Sequence, residues 1–441
     1  MADQDVSVTP YWELTFDADG DVDRGQRDRL LGEVVERGVK DLVFFAHGWN
    51  NDRSGATRLY SRFFEPFPAL APGAGLGYVG VLWPSMRFSD EPIPDLPKSV
   101  VAEVPAAARP VLDKGTRHAL LEVFPGRATV VEQLARLLDQ QPDESASLEE
   151  FGRLVRLLVE VRPQGPQAAF AADTLAEGVP EGDPEMLFGD TVAMCGEFAE
   201  ALAQSENGSG AAAAAVQPQL WDGGKELLRQ ATYFAMKRRA GTVGERGLGR
   251  AVGQLAHTAP DVRVHLVGHS FGGRLVSFAL RGLPEGVRTV KSVTLLQAAF
   301  SHYAFAARLP HDTRSSGVLN GQHKRIDGPL VCCHSRHDSA LGTIYPLASR
   351  MAGDARAITG FGVGSLLGKK WGALGYGGVQ AVKGTRSYLL ADALKARLPS
   401  SGCVNIDAAA VVKRGGPPAG AHSDICHREL ARVVLAAGRI A

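Results

Sequence analysis

The most specific chemical signal in this 441-residue chain is Gly268-His269-Ser270-Phe271-Gly272, a match to the pattern G-x-S-x-G. An apolar run, Val262 to Val267, leads into it, and helical spacing through Leu275, Val276, Phe278 and Leu280 follows at once. A strand ending in so sharp a turn presents its serine at strained dihedrals with Oγ exposed, and the flanking glycines let neighbouring backbone pass close by. Five residues alone recur by chance, so the strand before and the helix after carry the specificity. The plain alternative is a serine capping a helix, which needs no glycine on either side.

A serine hydroxyl is a poor nucleophile near neutral pH. It requires a histidine within hydrogen-bond reach, and that histidine requires an orienting carboxylate. In a parallel α/β sheet such residues meet at the carboxyl ends of strands. Asp338 stands just beyond the strand-like run Pro329 to His334, and His422 lies between the last predicted strand, Ser401 to Val412, and the final helix. His427 and His311 are rival bases, and Asp407 and Asp327 rival acids.

The elements that must position these residues alternate. Ser7 to Phe16 reads as an edge strand interrupted by Pro10, Arg27 to Arg37 as a helix, Asp41 to Gly48 as a buried strand, Arg58 to Phe67 as a helix and Tyr78 to Trp83 as another strand. From Met86 to about Gln219 the alternation stops: a proline-rich connection gives way to amphipathic helices over 127–140, 147–161 and 191–204, without a convincing strand. Asn207 to Ala215 reads as a flexible join. Strong helix resumes at Trp221, and strands at Val290 to Phe300 and Pro329 to Ser335 precede the last strand and the helix Ile425 to Ile440. The glycine-dense stretch Gly241 to Gly249 follows a helix and lacks G-K-[ST], so it reads as flexible and not as a phosphate loop. Asp424 and Ser423 read as caps of the last helix, and His47, His269 and His337 as structural histidines.

The fold class is therefore α/β, a doubly wound, mostly parallel sheet flanked by helices. Its organisation divides into 1–85 and 220–441 as two parts of one core, with 86–219 as a helical insertion that either caps the site or decorates the fold away from it. With the order Ser270, Asp338, His422, the chain resembles the α/β-hydrolase superfamily of lipase- and esterase-like serine hydrolases, over roughly residues 40 to 85 and 220 to 440. The resemblance implies Ser270 as nucleophile, His422 as general base and then acid, and Asp338 holding the imidazole tautomer. It also implies an oxyanion hole from the backbone N–H groups of Phe271 and of a residue in the loop after the Asp41 strand, here Trp49. His47-Gly48-Trp49-Asn50 departs from the glycine-rich H-G-G-G form, which bears on the identity of that second donor.

Composition narrows the class. Lys+Arg 48 against Asp+Glu 48 leaves no net charge and no basic advertisement for nucleic acid. Five cysteines, at 195, 332, 333, 403 and 426, show no C-x-x-C spacing for zinc and read as reduced thiols of a cytoplasmic protein. The acidic start lacks a secretory signal, and no apolar run is long enough to span a membrane. The expectation is a metal- and cofactor-free serine hydrolase acting on a small-molecule or lipid-like carboxylic ester. Acyl transfer, peptide hydrolysis with the same triad, and noncatalytic partner binding through the insertion stay open as alternatives.

Overall fold

A computed structural model describes residues 6–49, 51–86, 88, 111–159, 173–175, 189–207, 219–344, 372–415 and 420–440. Eight strands form one sheet: β1 (Tyr11–Thr15), β2 (Asp41–Ala46), β3 (Leu76–Leu82), β4 (Arg263–His269), β5 (Val290–Leu296), β6 (Pro329–His334), β7 (Arg386–Leu389) and β8 (Gly402–Asp407). Their order is β1-β3-β2-β4-β5-β6-β8-β7, and every neighbouring pair is parallel. Parallel pairing explains the unbroken apolar runs of β2 and β4, because helices cover both faces and leave no side for water. From β2 the chain moves outward to β3, whereas β4 returns to the other flank of β2 and the remaining strands continue in that direction. The winding thus reverses between β2 and β4, and a crevice forms beyond the carboxyl ends of strands at such a point.

One face of the sheet is buried under α1 (Arg24–Glu36) and under the helix that follows β4; the other is covered by α2 (Arg53–Phe64) and the C-terminal helix. Between β3 and β4 lie α3 (Lys114–Val123), α4 (Ala128–Gln140), α5 (Ser145–Val159), α6 (Thr191–Asn207) and α7 (Leu220–Thr242). Their apolar faces, among them Leu134, Phe151, Leu154 and Phe198, merge with the core beneath the helix after β4. The proline-rich connection 89–110 and residues 208–215 of the expected flexible join lie outside the described residues, as do the last two residues of the helix expected over 147–161.

Three short strands escaped the sequence pattern. β7 is four residues long and largely exposed at the sheet edge, so it has no alternation to read. Thr174–Leu175 pairs antiparallel with Ser316–Gly317, a two-residue ladder that depends wholly on a distant partner.

The glycine-dense stretch expected to be flexible is helical. After α7 the chain continues through a π-helical segment, Val243–Leu248, into α8 (Gly249–Thr258). A Cβ on Gly244 would strike the Leu275 carbonyl oxygen and one on Gly249 that of Ala279, both on the helix after β4. These glycines let two helices approach backbone to backbone, a packing role that local composition cannot distinguish from a hinge. The helix after β4 is α9 (Phe271–Gly282), and the chain ends in α10 (Arg428–Gly438).

Candidate active site

Ser270 joins β4 to α9 at φ +54° and ψ −121°, a region that costs a non-glycine residue about 1–3 kcal/mol and persists only where the surroundings enforce it. The surroundings are visible. Ser270 N–H donates to the Leu296 carbonyl (3.1 Å), and its own carbonyl accepts from Gly273 N (3.0 Å) and Ala299 N (3.2 Å). Gly272 admits β2 to the turn, since a Cβ there would collide with the Ala46 carbonyl oxygen, and a Cβ on Gly48 would lie 2.7 Å from Ser270 Cβ.

His422 and Asp338 meet this serine although they are 152 and 68 residues away in sequence, because both follow strands whose carboxyl ends lie at the same edge of the parallel sheet as that of β4. His422 Nε2 is 2.9 Å from Ser270 Oγ and its Nδ1 is 2.7 Å from Asp338 Oδ2. Asp338 is completely buried just beyond β6, and its other oxygen accepts from Leu341 N (3.0 Å). An ionised carboxylate only accepts, so Nδ1 carries the proton and Nε2 is left with a lone pair facing the serine O–H. The set can take a proton from Ser270 and return it, with the resulting imidazolium held against a buried negative charge.

The base is itself positioned. His269 Nε2–H donates to the His422 carbonyl at 2.8 Å, and burial, with His422 nearby, depresses the His269 pKa to about 3, so this ring stays neutral as a donor. Ala421 N–H donates to the His337 carbonyl (2.9 Å), which ties the His422 loop to the Asp338 loop. The His269 ring and the His337 main chain thus brace the loop that carries His422.

The rivals are engaged elsewhere. His427 Nε2 pairs with Asp424 Oδ1 (2.9 Å), Asp327 with Lys291 Nζ (2.6 Å), and Asp407 Oδ1 accepts from Ala409 N (2.9 Å); His311 lies against the Tyr303 ring. Asp424 does not cap the last helix as expected. The helix begins later, with His427 at its N-cap position, and Asp424 Oδ2 instead accepts from Lys413 N (2.9 Å) and Arg414 N (2.8 Å), fastening the segment after β8.

Beyond β2, Asn51 Nδ2 donates to the carbonyls of Gly48 (3.3 Å) and Trp49 (3.2 Å). Because a trans peptide sets its N–H opposite its C=O, the Trp49 N–H is turned away from Asn51. His47 stacks on Trp83 (5.6 Å between centroids, 16° between planes), its N–H donates to Tyr60 Oη (3.2 Å), and burial lowers its pKa to about 4. This braced loop abuts Ser270 through Gly48, and Phe271 opens α9 directly after the serine.

Sequence reasoning missed Asp173. Its buried carboxylate pairs with the fully buried Arg274 of α9 and with Lys237 of α7 (3.0 Å), and accepts from Ser301 N (3.0 Å). The nearby cations hold its pKa below the usual carboxylate range against the opposing effect of burial. It pins α9 four residues past Ser270, and no local signal marks a carboxylate whose partners lie 64 and 101 residues away.

A cleft of about 520 Å³ lies at the β1 edge and is lined by Tyr11, Glu13, Arg29, Arg37 and Arg53. It contains none of the serine, histidine or aspartate above, so chemistry and not volume locates the site. No group of His, Cys, Asp and Glu among the described residues is arranged to hold a metal ion, and no described helix is long and apolar enough to cross a membrane. No family model, curated protein or solved structure matches this chain.

Proposed function

We propose that this protein is a serine hydrolase of the α/β-hydrolase type that cleaves a carboxylic ester through an acyl-enzyme on Ser270. The observation that carries the reading is the continuous relay from Ser270 Oγ through His422 to the buried Asp338, at 2.9 and 2.7 Å, built on a serine held at positive φ between a strand and a helix. A capping serine requires neither the strain nor the relay. In the forward half-reaction His422 takes the Ser270 proton as Oγ attacks the ester carbonyl, and passes it to the departing alcohol. In the second half it takes a proton from the water that attacks the acyl carbon and returns it to Ser270 Oγ as the acyl C–O bond breaks, releasing the acid. Backbone N–H groups of Phe271 and Trp49 receive the oxyanion, each donor contributing roughly 10²–10³ in turnover.

The site lies beyond β2 and β4, where the winding of the sheet reverses, which is the general location of ligand sites in open α/β sheets. The cysteines are free and four of the five are buried, which suits a cytoplasmic setting. The helices between β3 and β4 serve as a cap-like insertion in this reading, joined to the site through α7. A fluorophosphonate probe tests it: stoichiometric labelling of the native protein that disappears in Ser270→Ala is the expected result, and undiminished labelling of that variant would end the assignment.

A further inference from the structure

The loop after β2 is held from behind by aromatic rings. Trp49 meets Phe88 at 6.1 Å and 87° and Tyr233 at 5.9 Å and 76°, both edge-on, and lies 6.3 Å from Phe271. Tyr233 in turn lies 4.7 Å from the Phe271 ring. A single side chain on α7 therefore touches both residues proposed above as oxyanion donors. Trp49 is half-buried, whereas Phe88, Tyr233 and Phe271 are buried, so the rings form a fixed backing behind the loop. The Trp49 indole N–H is buried with no hydrogen-bond partner among the described residues, and its ring meets two neighbouring rings edge-on. One turn further along α7, Lys237 is locked into the Asp173–Arg274 cluster, which fixes the helix against α9.

We infer that Tyr233 is a positioning residue for the oxyanion site: its ring sets the separation of the Trp49 and Phe271 backbone donors. Through it, α7 and the helices packed on α7 govern reactivity without touching substrate. The inference rests on the reading of Ser270 as nucleophile. One oxyanion donor contributes roughly 10²–10³ in turnover, and a displacement near 1 Å can cost about 10², so loss of the ring should lower turnover about tenfold to a hundredfold.

The test compares Tyr233→Leu with Tyr233→Phe, measuring kcat and KM on p-nitrophenyl butyrate and the rate constant for fluorophosphonate labelling of Ser270. Tyr233→Leu should lose in kcat and in labelling rate with KM little changed, and Tyr233→Phe, which keeps the ring, should restore both. A ring that matters only for stability would lower the melting temperature while the folded protein kept wild-type kcat and labelling, and that result overturns the inference. If Tyr233→Leu does not fold, Trp49→Leu gives the same readout from the more exposed side of the cluster, and wild-type rates there overturn it equally. Failure of the wild type to label at Ser270 would instead remove the nucleophile reading beneath it.

Discussion

Replacing Asp338 with asparagine tests the tautomer logic of the site with almost no change of shape. Asp338 Oδ1 accepts from Leu341 N at 3.0 Å, and Oδ2 faces His422 Nδ1 at 2.7 Å. In Asp338→Asn the amide has one acceptor and one donor end. Leu341 N–H needs the acceptor, since stranding a buried donor costs about 1–3 kcal/mol, so the NH₂ group turns toward His422. Nδ1 must then accept, the imidazole proton moves to Nε2, and Ser270 faces a donor where it needs a base. Loss of the correct tautomer in such a triad lowers turnover by about 10⁴, equivalent to about 5 kcal/mol of transition-state stabilisation. Steady-state turnover of a p-nitrophenyl ester at neutral pH measures it, with thermal unfolding as the control for folding. Turnover within tenfold of wild type in a folded Asp338→Asn protein would refute the orienting role of Asp338.

Alanine at Ser270 or His422 should lower turnover by on the order of 10⁶, whereas His427→Ala should leave it near wild type; the reverse pattern in an ester assay would move the base to His427. Asp173→Ala leaves Lys237 and Arg274 buried without their carboxylate and should destabilise the protein by about 3–5 kcal/mol, read as the urea midpoint at constant slope; an unchanged midpoint would contradict the buried cluster. His47 and His269, with pKa values lowered to about 4 and about 3 by burial, stay neutral when folded but take up protons near pH 6.5 when unfolded. Unfolding between pH 6 and pH 4.5 should therefore absorb about 1.5 to 1.8 protons through these two rings, and stability should fall as the pH is lowered through that window; calorimetry showing a flat profile would contradict the burial of the two rings.

The relay was legible because its rules are local at each end. An apolar run bounded by glycines marks the turn at Ser270, and the carboxyl-end rule of parallel sheets places Asp338 and His422 without knowledge of the intervening chain. What stayed illegible depends on partners remote in sequence. Gly244 and Gly249 look like hinge residues until α9 is packed against them. Asp424 looks like a cap until the chain after β8 claims its carboxylate, and Asp173 has no meaning before α7 and α9 surround it. Tyr233 shows the same limit: its spacing reads as an ordinary buried helix face, and only the arrival of β2 and β4 side by side makes it a bridge between Trp49 and Phe271.

Acid-quenched turnover of p-nitrophenyl acetate, followed by peptide mass spectrometry, tests the central chemistry most directly. An acetyl group on the peptide containing Ser270, formed at the rate of the first product burst and lost at the steady-state rate, is the expected result. Continued turnover with no acyl group on Ser270, or with the group on another residue, would contradict it.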